Sequence, residues 1–178
     1  LDSVDCWTNR QATLPRELPI SLAVLGGGAI GLELGQAFAR FGSKVSIIEA
    51  GPRFLGLEEP EAGAALKPHL EADGIELIAG DACASVEKGE AGVVLKMKSG
   101  ARVTANRLLV ATGRRANFEA WEGAGLPRTE RGWLKVDPAT LEAAPGVYGT
   151  GDVTGIGGFT HLAYYHGQVV ARRIRGEE

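Results

Sequence analysis

The stretch LGGGAIGLELG, Leu25 to Gly35, constrains this chain more than any other, because three changes of local structure meet in it. Before it, Ile20 to Leu25 is an apolar run broken only by Ser21, the pattern of a strand buried on both faces of a parallel sheet. Gly26, Gly28 and Gly31 then spell GxGxxG. After them, Ile30, Leu34, Ala37, Phe38 and Phe41 recur at helical spacing, and Gly42 supplies a stop. The glycines therefore stand between a strand and a helix.

Each glycine has its own reason to be there. Gly26 permits a tight turn, Gly28 lets backbone N–H groups approach a pyrophosphate, and Gly31 lets the helix pack close to the strand. The N–H groups of Gly27, Gly28, Ala29 and Ile30, with the positive end of the helix, would hold the anion. The next strand, Lys44 to Ile48, runs into Glu49 and Ala50, about where a dinucleotide domain places an acid for the ribose hydroxyls. The alternative is an ordinary glycine turn with a solvated Glu49.

With 178 residues, 44% of them hydrophobic, the chain can bury a real core as one large unit or two small ones. A net charge of −3 offers no basic face for nucleic acid, and no apolar stretch approaches a membrane span, so a cytoplasmic protein is expected. Cys6 and Cys83 have neither metal-ligand nor CxxC spacing and read as buried thiols, with no metal site expected. The start at Leu1 hints at a piece of a longer protein, and a processed N-terminus would look the same.

Residues 1–17 read as a linker and 18–113 as a nucleotide-binding domain. A helix is expected from Glu58 to Asp73, kinked at Pro68, then a strand over Ile75 to Ile78. Three short strands, Ala82 to Glu87, Val93 to Lys98 and Ala101 to Ala105, suggest an antiparallel meander in place of a crossover helix. Arg107 to Val110 returns as a parallel strand ending in ATGRRAN. Beyond it come a loop or short helix over Phe118 to Leu126, a strand around Trp133 to Val136, a strand-like Gly146 to Gly149, TGDVTG, and a helix from about His161 to Arg175. The fold class is α/β, a Rossmann-like parallel sheet with helices and a three-stranded antiparallel meander.

Three landmarks in fixed order, LGGGAIGLELG, LLVATGRRAN and VYGTGDVTG, resemble the pyridine nucleotide–disulfide oxidoreductases, and the resemblance runs from Trp7-Thr8-Asn9 to the last helix. It implies an NAD(H)-binding domain inserted in a split flavin domain, with residues 114–178 a partial flavin-domain segment. It further implies that Gly26, Gly28 and Gly31 cradle the NAD pyrophosphate and Glu49 takes the adenosine ribose. By the same carry-over, Glu33 lies near the nicotinamide, Gly113 closes a turn lining the dinucleotide, and Asp152 binds the FAD ribityl chain. Thr160, His161 and Leu162 would open a helix that faces the flavin ring. Glu33 could equally be an ordinary helix glutamate, and His161 a local hydrogen-bonding residue; no side chain is assigned a catalytic role. The family's flavin-binding GxGxxG, CxxxxC disulfide and dimerisation domain with its catalytic His and Glu are absent. The resemblance thus implies a homodimeric flavoprotein that passes hydride from NADH to FAD, of which this chain is a piece inactive by itself.

Glu49 favours NADH over NADPH, because a carboxylate repels a 2′-phosphate, while Arg53 could reach that phosphate. Two other readings share the glycine turn: an S-adenosylmethionine-dependent methyltransferase-like domain, in which ATG and TGD have no role, and a non-catalytic NAD-sensing module. The apolar strands and helix of 126–178 should leave an exposed apolar face.

Overall fold

A computed structural model describes residues 4–90 and 92–177. Residues 1–3 of the expected linker, and Ala91 in the turn expected between the first two meander strands, lie outside the described residues. The chain divides into two compact units, 1–113 and 114–178.

The first unit is built on a parallel sheet of β1 (Ser21–Leu25), β2 (Lys44–Glu49), β3 (Glu76–Ala79) and β7 (Arg107–Val110), in the order β3-β2-β1-β7. Helix α2 (Ala29–Arg40) joins β1 to β2, and α3 (Pro60–Ala72) precedes β3. From β3 the chain reaches β7 through an antiparallel sheet of β4 (Cys83–Gly89), β5 (Gly92–Met97) and β6 (Arg102–Ala105). Helix α3 continues through Pro68, although proline supplies no N–H for the helical ladder.

Side chains alternate across a strand, and β1 uses both of its faces. Leu22 and Val24 pack with Leu32 and Phe38 of α2, while Ala23 and Leu25 pack with Val93, Leu95 and Met97 of the meander. This explains the unbroken apolar run: β1 has no solvent face, and Leu22, Ala23 and Val24 are 0% exposed. Cys6 and Cys83 are free thiols at the margin of the meander-side cluster, and burial pushes the Cys83 thiol above its ordinary range.

The stretch expected to be a linker has structure. Thr8 caps a one-turn helix, α1 (Asn9–Ala12), through a capping box with Gln11. Beside it Trp7 pairs in parallel with Leu109, its N–H donating to the Leu108 carbonyl at 2.7 Å and its carbonyl accepting from Val110 N–H at 2.8 Å.

The second unit holds a two-stranded sheet, β8 (Glu142–Ala144) and β9 (Val147–Tyr148), then a 3₁₀ turn over Gly151–Thr154 and helix α4 (Thr160–Ile174). The strand expected around Trp133 to Val136 is not formed; Leu134 makes a single bridge to Arg128, and pairing falls instead to Glu142–Ala144. Trp133 packs against Gly155, where a Cβ would strike its ring. His166 is buried on α4, and its Nδ1 accepts the Gly151 N–H at 3.1 Å. Phe159, Tyr164, Tyr165 and Ile174 are exposed, consistent with the apolar face expected of this region. No helix among the described residues is long and apolar enough to cross a membrane.

Candidate functional site

Gly26 continues β1, its N–H donating to the Ile48 carbonyl at 2.8 Å, and turns the chain at φ 111°. A side chain fails there twice, since that φ suits glycine and a Cβ would collide with the Ala111 carbonyl oxygen of the ATG turn. Gly31, buried in the first turn of α2, lies so close to the Gly26 carbonyl that a Cβ would overlap it. Gly28 differs from both. It is the exposed N-cap of α2, and a Cβ on it would meet nothing within 4 Å. The first and third glycines thus close the turn, and the second leaves the space above it open.

That open space faces the start of α2. The helical ladder begins with Leu32 N–H donating to the Gly28 carbonyl at 3.0 Å, so the N–H groups of Ala29, Ile30 and Gly31 have no acceptor within the helix. Gly28 brings no capping side chain either. Amides and the helix dipole at such a helix start can together attract an anion.

Glu49, the last residue of β2, is half-buried beside the turn. Its Oε2 accepts the Gly27 N–H at 2.7 Å and its Oε1 accepts the Gly51 N–H at 2.7 Å. Each oxygen keeps a second lone pair, so the carboxylate can still accept from hydroxyls. Ala50 follows it, exposed on the same loop. Arg53 does not reach out as a phosphate ligand would; its guanidinium is spent on the carbonyls of Leu55, Gly56 and Glu58. Glu33 is exposed on α2, and Gly113 ends the ATG turn exposed at φ 148°. The first unit therefore brings Gly26 to Gly31, Glu49 and the ATG turn together at the carboxyl ends of β1, β2 and β7.

In the second unit Asp152 lies in the turn ahead of α4, paired through Oδ2 with Arg114 Nη1 at 2.8 Å. Both side chains are about half exposed, 52% and 53%. Arg114 Nη1 also donates to the Gly158 carbonyl at 3.4 Å. Thr160, His161 and Leu162 form the first turn of α4, whose N-cap, Phe159, offers no side-chain capping bond. His161 is exposed and stacked on Phe159, with ring centroids 5.4 Å apart. Three contacts escape sequence reasoning: Phe54 beneath Gly27, Arg114 on Asp152, and the buried His166. The RR pair after ATG was a visible signal for Arg114; an aromatic in a loop and a histidine inside a helix give none.

Among the described residues no group of three or more His, Cys, Asp or Glu side chains is placed to hold a metal ion.

The family model described as pyridine nucleotide-disulphide oxidoreductase matches residues 1–167. The chain belongs to this family. It is 36% identical to a dihydrolipoyl dehydrogenase from Thermus scotoductus, covering 97% of this chain and 39% of that protein. It is 34% identical to a mercuric reductase from Acidithiobacillus ferrooxidans, covering 96% of this chain and 31% of that protein. Among solved structures, it superposes on the HOCl-induced flavoprotein disulfide reductase RclA from Escherichia coli with a TM-score of 0.87 at 31% identity, over 97% of this chain and 40% of that one. The chain thus spans between about a third and two fifths of the relatives it resembles. Family membership removes the methyltransferase-like reading, which shares the glycine turn but leaves the ATG and TGD landmarks unexplained.

Proposed function

We propose that the first unit binds NADH and that the second forms part of a flavin site, in a whole protein that is a flavin-dependent NADH oxidoreductase. The N–H groups that open α2 at Gly28 would hold the diphosphate, and the Glu49 carboxylate would accept from the adenosine ribose hydroxyls. Asp152 and the first turn of α4, Thr160 to Leu162, take the ribityl chain and ring of FAD. When bound, a reduced nicotinamide supplies a hydride that a flavin can accept. The chain's own residues bind and orient. By itself the chain is inactive, since its sequence contains one GxGxxG and no CxxxxC, and a homodimeric whole protein is part of the same reading.

The observation that carries the choice of NADH is the Glu49 carboxylate, anchored to Gly27 and Gly51 at 2.7 Å each, together with an Arg53 whose cation is committed to backbone carbonyls. A 2′-phosphate would meet a fixed negative charge and a guanidinium already held by three carbonyls. Calorimetric titration of this chain should give tighter binding of NADH than of NADPH, and Glu49→Arg should narrow the gap by about tenfold or more. Tighter NADPH binding to the wild-type chain would overturn the reading.

A further inference from the structure

The loop after β2 holds an arrangement that nucleotide contact does not explain. Arg53 Nη1 donates to the Leu55 carbonyl at 2.8 Å, and Nη2 donates to the Gly56 and Glu58 carbonyls at 2.9 and 2.7 Å. A rigid, planar, charged fork with three acceptors fixes the curvature of the segment it spans. Inside that curve Leu55 sits at φ 52°, which a leucine adopts only where its surroundings over-determine the backbone.

In this conformation the Leu55 N–H donates to the Gly27 carbonyl at 2.8 Å. The Gly27 N–H is held by Glu49, and the buried Phe54 ring lies against Gly27 so closely that a Cβ there would strike it. Gly27 is therefore gripped at its N–H, at its carbonyl and from one side. The direction of the next amides, those of Gly28 and Ala29, is set by the residue so gripped.

We propose that Arg53 is a positioning residue for the dinucleotide: acting through Leu55 and Gly27, it holds the glycine turn in the shape that grips a diphosphate, without touching the nucleotide. This rests on the dinucleotide reading above. Preorganisation lowers the ordering cost of binding, and its loss falls on whatever the turn binds. NADH and NADPH share the diphosphate, so releasing the turn weakens both equally, whereas a guanidinium bound to the 2′-phosphate would matter to NADPH alone.

The test is titration of wild-type, Arg53→Ala and Arg53→Lys chains with NADH and with NADPH, together with amide exchange in the absence of nucleotide. Arg53→Ala should weaken NADH and NADPH binding by the same factor, about tenfold. Arg53→Lys, which keeps the charge but not the fork, should give a smaller loss, again equal for the two. Exchange at the Leu55 and Gly27 amides should accelerate in Arg53→Ala while the Ala23 and Val24 amides of β1 stay protected, a local change that general destabilisation does not produce. If Arg53→Ala does not fold, the lysine variant decides by the same ratio. Loss confined to NADPH, unchanged NADH binding, or unchanged exchange at Leu55 overturns the proposal. A wild-type chain that binds neither nucleotide overturns the dinucleotide reading and this proposal with it; a wild-type chain that binds while the variants bind equally well overturns the proposal alone.

Discussion

The glycine turn ahead of α2 and the glycine-rich segment ahead of α4 use the same materials, small residues leading into a helix with no side-chain cap, and differ in what holds them. Around Gly26 to Gly31 the restraints are main-chain and largely buried: backbone hydrogen bonds to Ile48 and Leu55, a carboxylate anchored on two amides, and glycines whose missing Cβ atoms other backbone atoms would fill. Around Asp152 to Gly158 buried contacts, Trp133 against Gly155 and the Val153 carbonyl accepting the Leu134 N–H at 2.9 Å, are joined by an ion pair with both partners about half exposed, 53% and 52%. Water and salt compete with such a pair and do not compete with packed backbone. Packed backbone thus sets the first segment, while the second adds a solvent-exposed ion pair to its buried contacts.

The largest expected effect separates the two glycine segments directly. At Gly31 an added methyl would overlap the Gly26 carbonyl, so Gly31→Ala should destabilise the protein by about 3 kcal/mol and abolish NADH binding. At Gly158 the nearest atom to an added methyl is Arg114 Nη1, the far end of a flexible side chain, so Gly158→Ala should cost about 0.5 kcal/mol or less. Urea denaturation of both variants checks the contrast, and equal losses would break it.

A smaller effect sharpens the picture of the second segment. Asp152→Asn removes one charge of an exposed pair and should change stability by about 0.5 kcal/mol or less, with the difference vanishing in high salt. Thermal melts at low and high ionic strength measure it.

The smallest effect concerns a hydrogen bond to a carboxylate within the first unit. The hydrogen bond from Gln36 Nε2, at 2.7 Å, holds the Asp73 carboxyl below its ordinary 3.8; partial burial opposes this and the neighbouring Arg40 adds to it. A lowered folded-state value favours the native state when the group is ionised. The contribution is therefore present above 3.8 and fades as the pH falls through the lowered value. Gln36→Ala should move the Asp73 midpoint upward toward 3.8 in a carboxyl NMR titration, with little change in stability at neutral pH.

What was legible in the sequence was what local pattern determines. A strand buried on both faces must be apolar throughout, so β1 announced itself, and the turn residues of β4 to β6 marked a meander. The tight turn at Gly26 and the close packing at Gly31 also followed, because a Cβ at either would strike backbone. What pairing at a distance decides was not legible. Trp7 joins the sheet through a partner about a hundred residues away, and Trp133 to Val136 looks like a strand yet finds no ladder, its Leu134 and Lys135 N–H groups donating to the Val153 and Pro127 carbonyls. That Arg53 could reach a 2′-phosphate is visible in a sequence, because its charge is, whereas the three carbonyls that accept from its guanidinium are a property of the folded loop.

The pairing of Trp7 with β7 has a further result for how copies of this protein behave in a crowded solution. The outer side of a terminal strand is a row of donors and acceptors on which a foreign strand can grow. One residue, flanked by the capped turn of α1, occupies the middle of that row at Leu108 and Val110 and offers no continuing ladder of its own. A tryptophan set there leaves a foreign strand two fewer unpaired backbone groups to grow on.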